Sequence, residues 1–149
     1  MDIVAPLAPY LGLFVTAFLA ATVLPAQSEV VFTAMTLSGR FEVAWLFVAA
    51  TAGNTLGSVA NWLMGRFVTH LIGRRWFPFD AAAIGRGEAL YERWGKWSLL
   101  LSWAPVIGDV LTFSAGMMKM PVVPFVCLVT LAKGGRYLVL LAAIRAIAR

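Results

Sequence analysis

Four ionisable residues sit where the chain is otherwise apolar: Glu29, Asp109, Lys133 and Arg136. Glu29 closes the run Pro25-Ala26-Gln27-Ser28-Glu29, and Asp109 closes Pro105-Val106-Ile107-Gly108-Asp109. Pro105 and Asp109 stand 80 positions after Pro25 and Glu29, so each proline precedes its acid by the same step. A charged side chain among hydrocarbon is costly unless it is paired or hydrated, and such residues mark ion or substrate paths. The chemistry open to Glu29 and Asp109 is binding of a proton or a cation, tuned by burial and by nearby charge. The plainer alternative is that each acid caps the helix beginning at its break, where orphan amides and the helix dipole favour an anion. Lys133 and Arg136 suit a phosphate, the guanidinium fork especially so; an internal ion pair to Glu29 or Asp109 is the alternative. Asn54 and Ser28 add neutral polar groups, but Ser28 has no histidine partner within argued reach and is not expected to be a nucleophile.

Other chemistries find few residues. Cys127 is the only cysteine and His70 the only histidine, so neither a disulfide nor a zinc site is expected. Cys127 lies in an apolar segment and is expected to be a buried structural thiol. With no catalytic triad, metal set or nucleotide loop, neither an enzyme nor a cofactor is expected.

The elements that must position these groups are membrane segments. The chain is 61% hydrophobic and 13% charged, against about 25% charged in soluble domains, and its mean hydropathy is +0.85. No charge occurs between Asp2 and Glu29, between Glu42 and Arg66, or between Lys96 and Asp109. Runs of that length match the roughly 20 apolar residues that cross a bilayer. The stretch from Ile3 to Ala26 begins with Asp2 and no Lys or Arg. It therefore lacks the basic start of a secretory signal and is expected to be retained.

Six pieces follow: an interrupted apolar stretch over 9–38, a continuous span over 42–64, a basic aromatic piece over 65–79, and an amphipathic helix over 80–95 with Asp80 as N-cap. A second interrupted stretch covers 96–119, and a final span covers 121–146 with Lys133 and Arg136 near its middle. Each half of an interrupted stretch is about ten residues, about half the hydrocarbon thickness. Kinked spans and re-entrant hairpins are both open. A hairpin places the irregular backbone and the acid together at a shielded tip, with Pro25, Pro105 and Gly108 at the breaks. With the offset of 80, Gly53, Asn54 and Leu56 fall on Lys133, Gly134 and Arg136. The expected fold is an all-α integral membrane protein, a single domain over 1–149. It has two inverted repeats, 9–64 and 96–146, each a re-entrant hairpin plus one transmembrane helix, joined by an interfacial connector over 65–95.

Several spaced motifs resemble one family. Pro25-Ala-Gln-Ser-Glu29-Val-Val is similar to the first-hairpin signature of the DedA family, also called VTT-domain or SNARE-associated Golgi proteins. Gly53-Asn54-x-x-Gly57 and Asn61-Trp62-x-x-Gly65-Arg66 resemble its glycine-rich span. Tyr91-x-x-Trp94-Gly95, Pro105, Ala115-Gly116 and Met120 resemble its second hairpin. The short chain and the Pro-x-x-Gly-Asp variant look most like the YqaA-like branch. The resemblance implies movement of lipid head groups across a bilayer, including the undecaprenyl phosphate carrier, coupled to the proton gradient. Many members carry arginines just before and three residues after the second-hairpin proline. Ser102 and Gly108 stand there in this chain, which leaves Asp109, Lys133 and Arg136 to supply the charge.

The expected function is a transporter or scramblase-like protein for an anionic lipid or polyprenyl phosphate. A proton or cation exchanger and a non-transporting scaffold are the alternatives. The expected partners are membrane lipids and a proton or monovalent cation. Gly53-x-x-x-Gly57 marks either a homodimer face or close packing within one chain. Trp76, Phe77, Trp94 and Trp97 are expected to form interfacial belts. Arg66, Arg74, Arg75, Arg86, Arg93 and Lys96 place the connector on the cytoplasmic side, in a bacterial inner membrane. The net charge of +5 then reflects anionic head groups rather than nucleic acid.

Overall fold

The computed structural model describes residues 4–22 and 27–149. Its elements are α1 (Val4–Thr22), α2 (Gln27–Leu37), α3 (Val43–Phe67), α4 (Ala81–Trp94), α5 (Ile107–Met117) and α6 (Val122–Ile147). Short 3-10 segments cover Thr69–Leu71 and Gly95–Trp103. No strand occurs among the described residues.

Among the described residues two helices are long and apolar enough to cross a membrane: α3 with 25 residues and α6 with 26. At 1.5 Å per residue each exceeds the roughly 30 Å hydrocarbon layer. Pro121 stands at the N-cap of α6 and Pro124 in its first turn, where a missing amide breaks no helical bond. The connector helix starts as its sequence predicts, with the Asp80 carboxylate accepting from the Ala83 amide at 2.6 Å. Gly95, at φ 59°, stops it.

The core shows how the long helices run. Leu46 and Ala50 of α3 share one apolar cluster with Tyr137 and Ile144 of α6. Trp62 of α3 shares another with Phe125, Leu128 and Val129 of α6. The start of each helix therefore lies beside the end of the other, and the two are antiparallel. Leu13 and Phe32, from α1 and α2, belong to the first cluster; Leu99 and Ala115, before and within α5, belong to the second. The two halves of the chain thus occupy opposite ends of the α3/α6 pair.

Within the first half the chain folds back. Tyr10 of α1 packs edge-on against Phe41 beyond α2, and its hydroxyl accepts from the Glu42 amide at 3.1 Å. The end of α2 has therefore returned to the level of Tyr10. α1 lies so close to α3 that a Cβ on Gly53 would strike the Phe14 carbonyl, and one on Gly57 the Phe18 carbonyl. The Gly53-x-x-x-Gly57 face is used within the chain. Asn61 ties three elements, donating to the Ala21 carbonyl at 2.8 Å and to Thr112 Oγ1 at 3.3 Å.

Four expectations need correction. α1 has 19 residues, not about ten: it starts at Val4 and carries Pro9 within it. The arm before the second break is a 3-10 segment; Pro105 forces Ala104 into extended backbone (φ −71°, ψ 135°) at its end. Phe77 is buried, not interfacial: it packs with Phe79 and Phe113 in a third cluster, while Trp76, Trp94 and Trp97 are exposed. Cys127 is exposed. It shares an outward stripe of α6 with Val123 and Leu131, one turn to either side.

Candidate functional site

The second break is the better defined. Ile107 N donates to the Pro105 carbonyl at 2.8 Å, a three-residue turn centred on Val106 at φ 67° and ψ −63°. A β-branched residue is strained in that region. The turn reverses the chain so tightly that a Cβ on Gly108 would meet the Ser102 carbonyl. α5 then starts with Asp109 in its first turn. The expected first break, with Pro25, lies outside the described residues. α2 starts beyond it with Glu29 in its first turn.

Both acids face α6. Arg136 Nε donates to Glu29 Oε1, and Lys133 Nζ lies 3.6 Å from Asp109 Oδ1. Arg136 Nη1 also donates to the Trp103 carbonyl at 3.1 Å, so one side chain links α2, α6 and the arm before the second break. For Lys133 and Arg136 the geometry shows the internal ion pairs that were the alternative to phosphate binding. Among the described residues neither carboxylate accepts from a helix-start amide, although both still lie at the favourable end of a helix dipole.

A neutral chain of hydrogen bonds runs alongside. Asn54 Nδ2 donates to Tyr137 Oη at 3.3 Å, and the Tyr137 hydroxyl donates to Ser28 Oγ at 2.9 Å. Asn54 Oδ1 and Ser102 Oγ are buried without a partner among the described residues. Ser28, Asn54, Pro105, Asp109, Lys133 and Arg136 enclose a polar cavity of about 10 Å³, room for about one water molecule. The expected residues Ser28, Glu29, Asn54, Asp109, Lys133 and Arg136 are thus brought together, from four elements. Sequence reasoning missed Tyr137. Its signal was the spacing Lys133, Arg136, Tyr137, one face of a helix at i, i+3 and i+4.

On its outer side the cluster opens to a groove of about 670 Å³. Leu131, Val139 and Leu140 of α6 form one wall, and Trp103 and Pro105 the other. Glu29 and Arg136 are the charged residues that line it.

An all-helical fold among the described residues, with two membrane-length helices and a charged cluster at the starts of α2 and α5, narrows the class to helical membrane proteins. The VTT domain matches residues 24–146. The chain is 41% identical over 135 residues to inner membrane protein YqaA of Escherichia coli K12, covering 89% of this chain and 88% of that protein. The Shigella flexneri protein of the same name matches to the same extent. An uncharacterized protein of Haemophilus influenzae is 37% identical over 139 residues, covering 87% and 83%. No solved structure gives a significant match. This chain belongs to the VTT-domain family, also known as the DedA family.

Proposed function

We propose that this membrane protein is a non-enzymatic transporter or scramblase-like protein that moves an anionic lipid or polyprenyl-phosphate carrier with proton or cation coupling. The observation that carries this reading is the convergence of Glu29, at the start of α2, and Asp109, at the start of α5, on the Arg136 and Lys133 cations of α6. α2 and α5 leave that cluster toward opposite ends of the α3/α6 pair. This supports two facing re-entrant hairpins in an inverted repeat, with their tips in the bilayer interior. In this reading Glu29 and Asp109 handle the proton or cation, while Arg136 and Lys133 steer the phosphate. The name of the Escherichia coli relative supports an inner-membrane location. The exposed connector arginines support its cytoplasmic side.

A second reading, a proton or small-cation exchanger, draws on the cavity's size, which holds about one water. A third, a scaffold, draws on both acids being paired with cations. A dye-quenching flip assay in proteoliposomes of phosphatidylcholine and phosphatidylglycerol separates the three. The double variant Glu29→Gln with Asp109→Asn is expected to lose at least ten-fold in lipid flux; undiminished flux removes the proposed site. Ion flux without lipid movement selects the exchanger. A protein that moves neither lipid nor ion, and whose fold survives exchanging the partners, Glu29→Arg with Arg136→Glu, selects the scaffold.

A further inference from the structure

The groove beside the Glu29–Arg136 pair is too large and too apolar to serve the pair alone. Its volume, about 670 Å³, falls in the range of about 300–1,000 Å³ typical of ligand clefts. Its shape has a sequence cause: Ala132 and Gly135 leave a hollow on α6 between Leu131 and Val139. A Cβ placed on Gly135 meets nothing within 4 Å. Leu131 and Val139 are exposed, on a helix long and apolar enough to lie in lipid.

Chemistry at the groove narrows the occupant. Arg136 has five N–H donors, and among the described residues it directs one to Glu29 and one to the Trp103 carbonyl. The other three remain to meet an acceptor, and a guanidinium edge matches the paired oxygens of a phosphate. A small hydrated anion gains nothing from walls of Leu131, Val139, Leu140 and Trp103. A ligand that is anionic at one end and hydrocarbon over the rest gains from both.

We infer that this groove seats one acyl chain of an anionic phospholipid, with its phosphate on the outer donors of Arg136. The seat lies on the lipid-facing side of the cluster and serves as the lateral entrance to it. The inference rests on the transport reading for its role as an entrance, but not for the binding itself. Glu29 shares the guanidinium with the phosphate and weakens its hold, so the lipid is held less tightly while the pair is engaged.

The test uses the full chain in phosphatidylcholine liposomes carrying a phosphatidylglycerol with a photoreactive diazirine in its acyl chain. Adducts are mapped by mass spectrometry. Wild type is expected to label mainly between Leu131 and Leu140, and at least five-fold more than with a diazirine phosphatidylcholine. Gly135→Trp fills the hollow and is expected to reduce labelling there at least ten-fold, whereas Gly135→Ser leaves it within two-fold. Val139→Trp, at an exposed position, gives the same reading if Gly135→Trp does not fold. Arg136→Gln is expected to remove the preference for phosphatidylglycerol. Labelling spread evenly over α3 and α6, labelling unchanged by either tryptophan, or crosslinking to a second copy of the chain overturns the inference. Flux that persists while both tryptophan variants leave it and the labelling unchanged sinks the groove and leaves the transport reading standing. Groove labelling in a protein that moves no lipid does the reverse.

Discussion

Asp109–Lys133 and Glu29–Arg136 each join an acid in the first turn of a helix to a cation on α6, yet their surroundings differ. The Lys133 and Asp109 side chains are 2% and 17% exposed, and they meet at 3.6 Å behind the strained turn at Val106. The Arg136 and Glu29 side chains are 15% and 31% exposed and line the outer groove. Arg136 keeps a second protein acceptor, the Trp103 carbonyl, and Lys133 has no second acceptor among the described residues. Equivalent chemistry is therefore divided: an enclosed pair that holds the interior together, and an open pair that a ligand can reach. The asymmetry comes from the long helices. α3 carries Gly53 where α6 carries Lys133, because α3 presents Gly53 to the backbone of α1, and it carries an exposed Leu56 where α6 carries Arg136. Both acids consequently draw on one helix for their counter-charge.

Breaking the enclosed pair should have the largest effect. Asp109→Ala leaves the Lys133 ammonium buried and unpaired, and should destabilise the protein by about 3–5 kcal/mol in a detergent unfolding titration. Replacing both partners, Asp109→Leu with Lys133→Met, should recover most of that loss while abolishing flux. Recovery of stability together with flux would assign the pair to folding alone. Glu29→Ala should cost only about 1 kcal/mol in the same titration, since the pair is partly exposed and Arg136 retains Trp103. It should also raise phosphatidylglycerol retention in a lipid pull-down, because Arg136 loses its competing anion. A loss equal to that of Asp109→Ala would erase the distinction between the pairs. Cys127→Ala, remote from both pairs on the outward face of α6, should change stability by less than about 0.5 kcal/mol. A larger loss would mean that this face is covered.

Much of this arrangement was legible in the chain. The spans expected over 42–64 and 121–146 are α3 (Val43–Phe67) and α6 (Val122–Ile147): a charge-free run closed by Arg66 delimits the first, and an apolar run between Lys119 and Arg145, interrupted only by Lys133 and Arg136, delimits the second. Asp80 announced the start of α4 through its capping chemistry. That the acids would meet cations was one of two readings, and which acid meets which cation was not readable. Pairing depends on α2 crossing to α6, a contact over more than 100 positions. Cys127 was misplaced because, in a helix meant for oil, buried and outward residues are equally apolar and periodicity loses its inside–outside signal. Phe77 lies in the connector outside any helix, where no periodicity separates it from its exposed neighbour Trp76. The 3-10 arm was invisible because an apolar run reads the same in either helix type, and Tyr137 was overlooked beside two louder charges.

The central claim is that Glu29 and Asp109 lie together in the bilayer interior. Its most direct test is the depth of two spin labels in the Cys127→Ala background, one on Val30→Cys beside Glu29 and one on Val106→Cys at the second turn. Both positions are exposed, so a label displaces no core residue. Power saturation with oxygen and a water-soluble nickel chelate, in phosphatidylglycerol-containing liposomes, should place both labels in the hydrocarbon at nearly equal depth. Either label at the head-group level, or the two near opposite faces, would contradict the account.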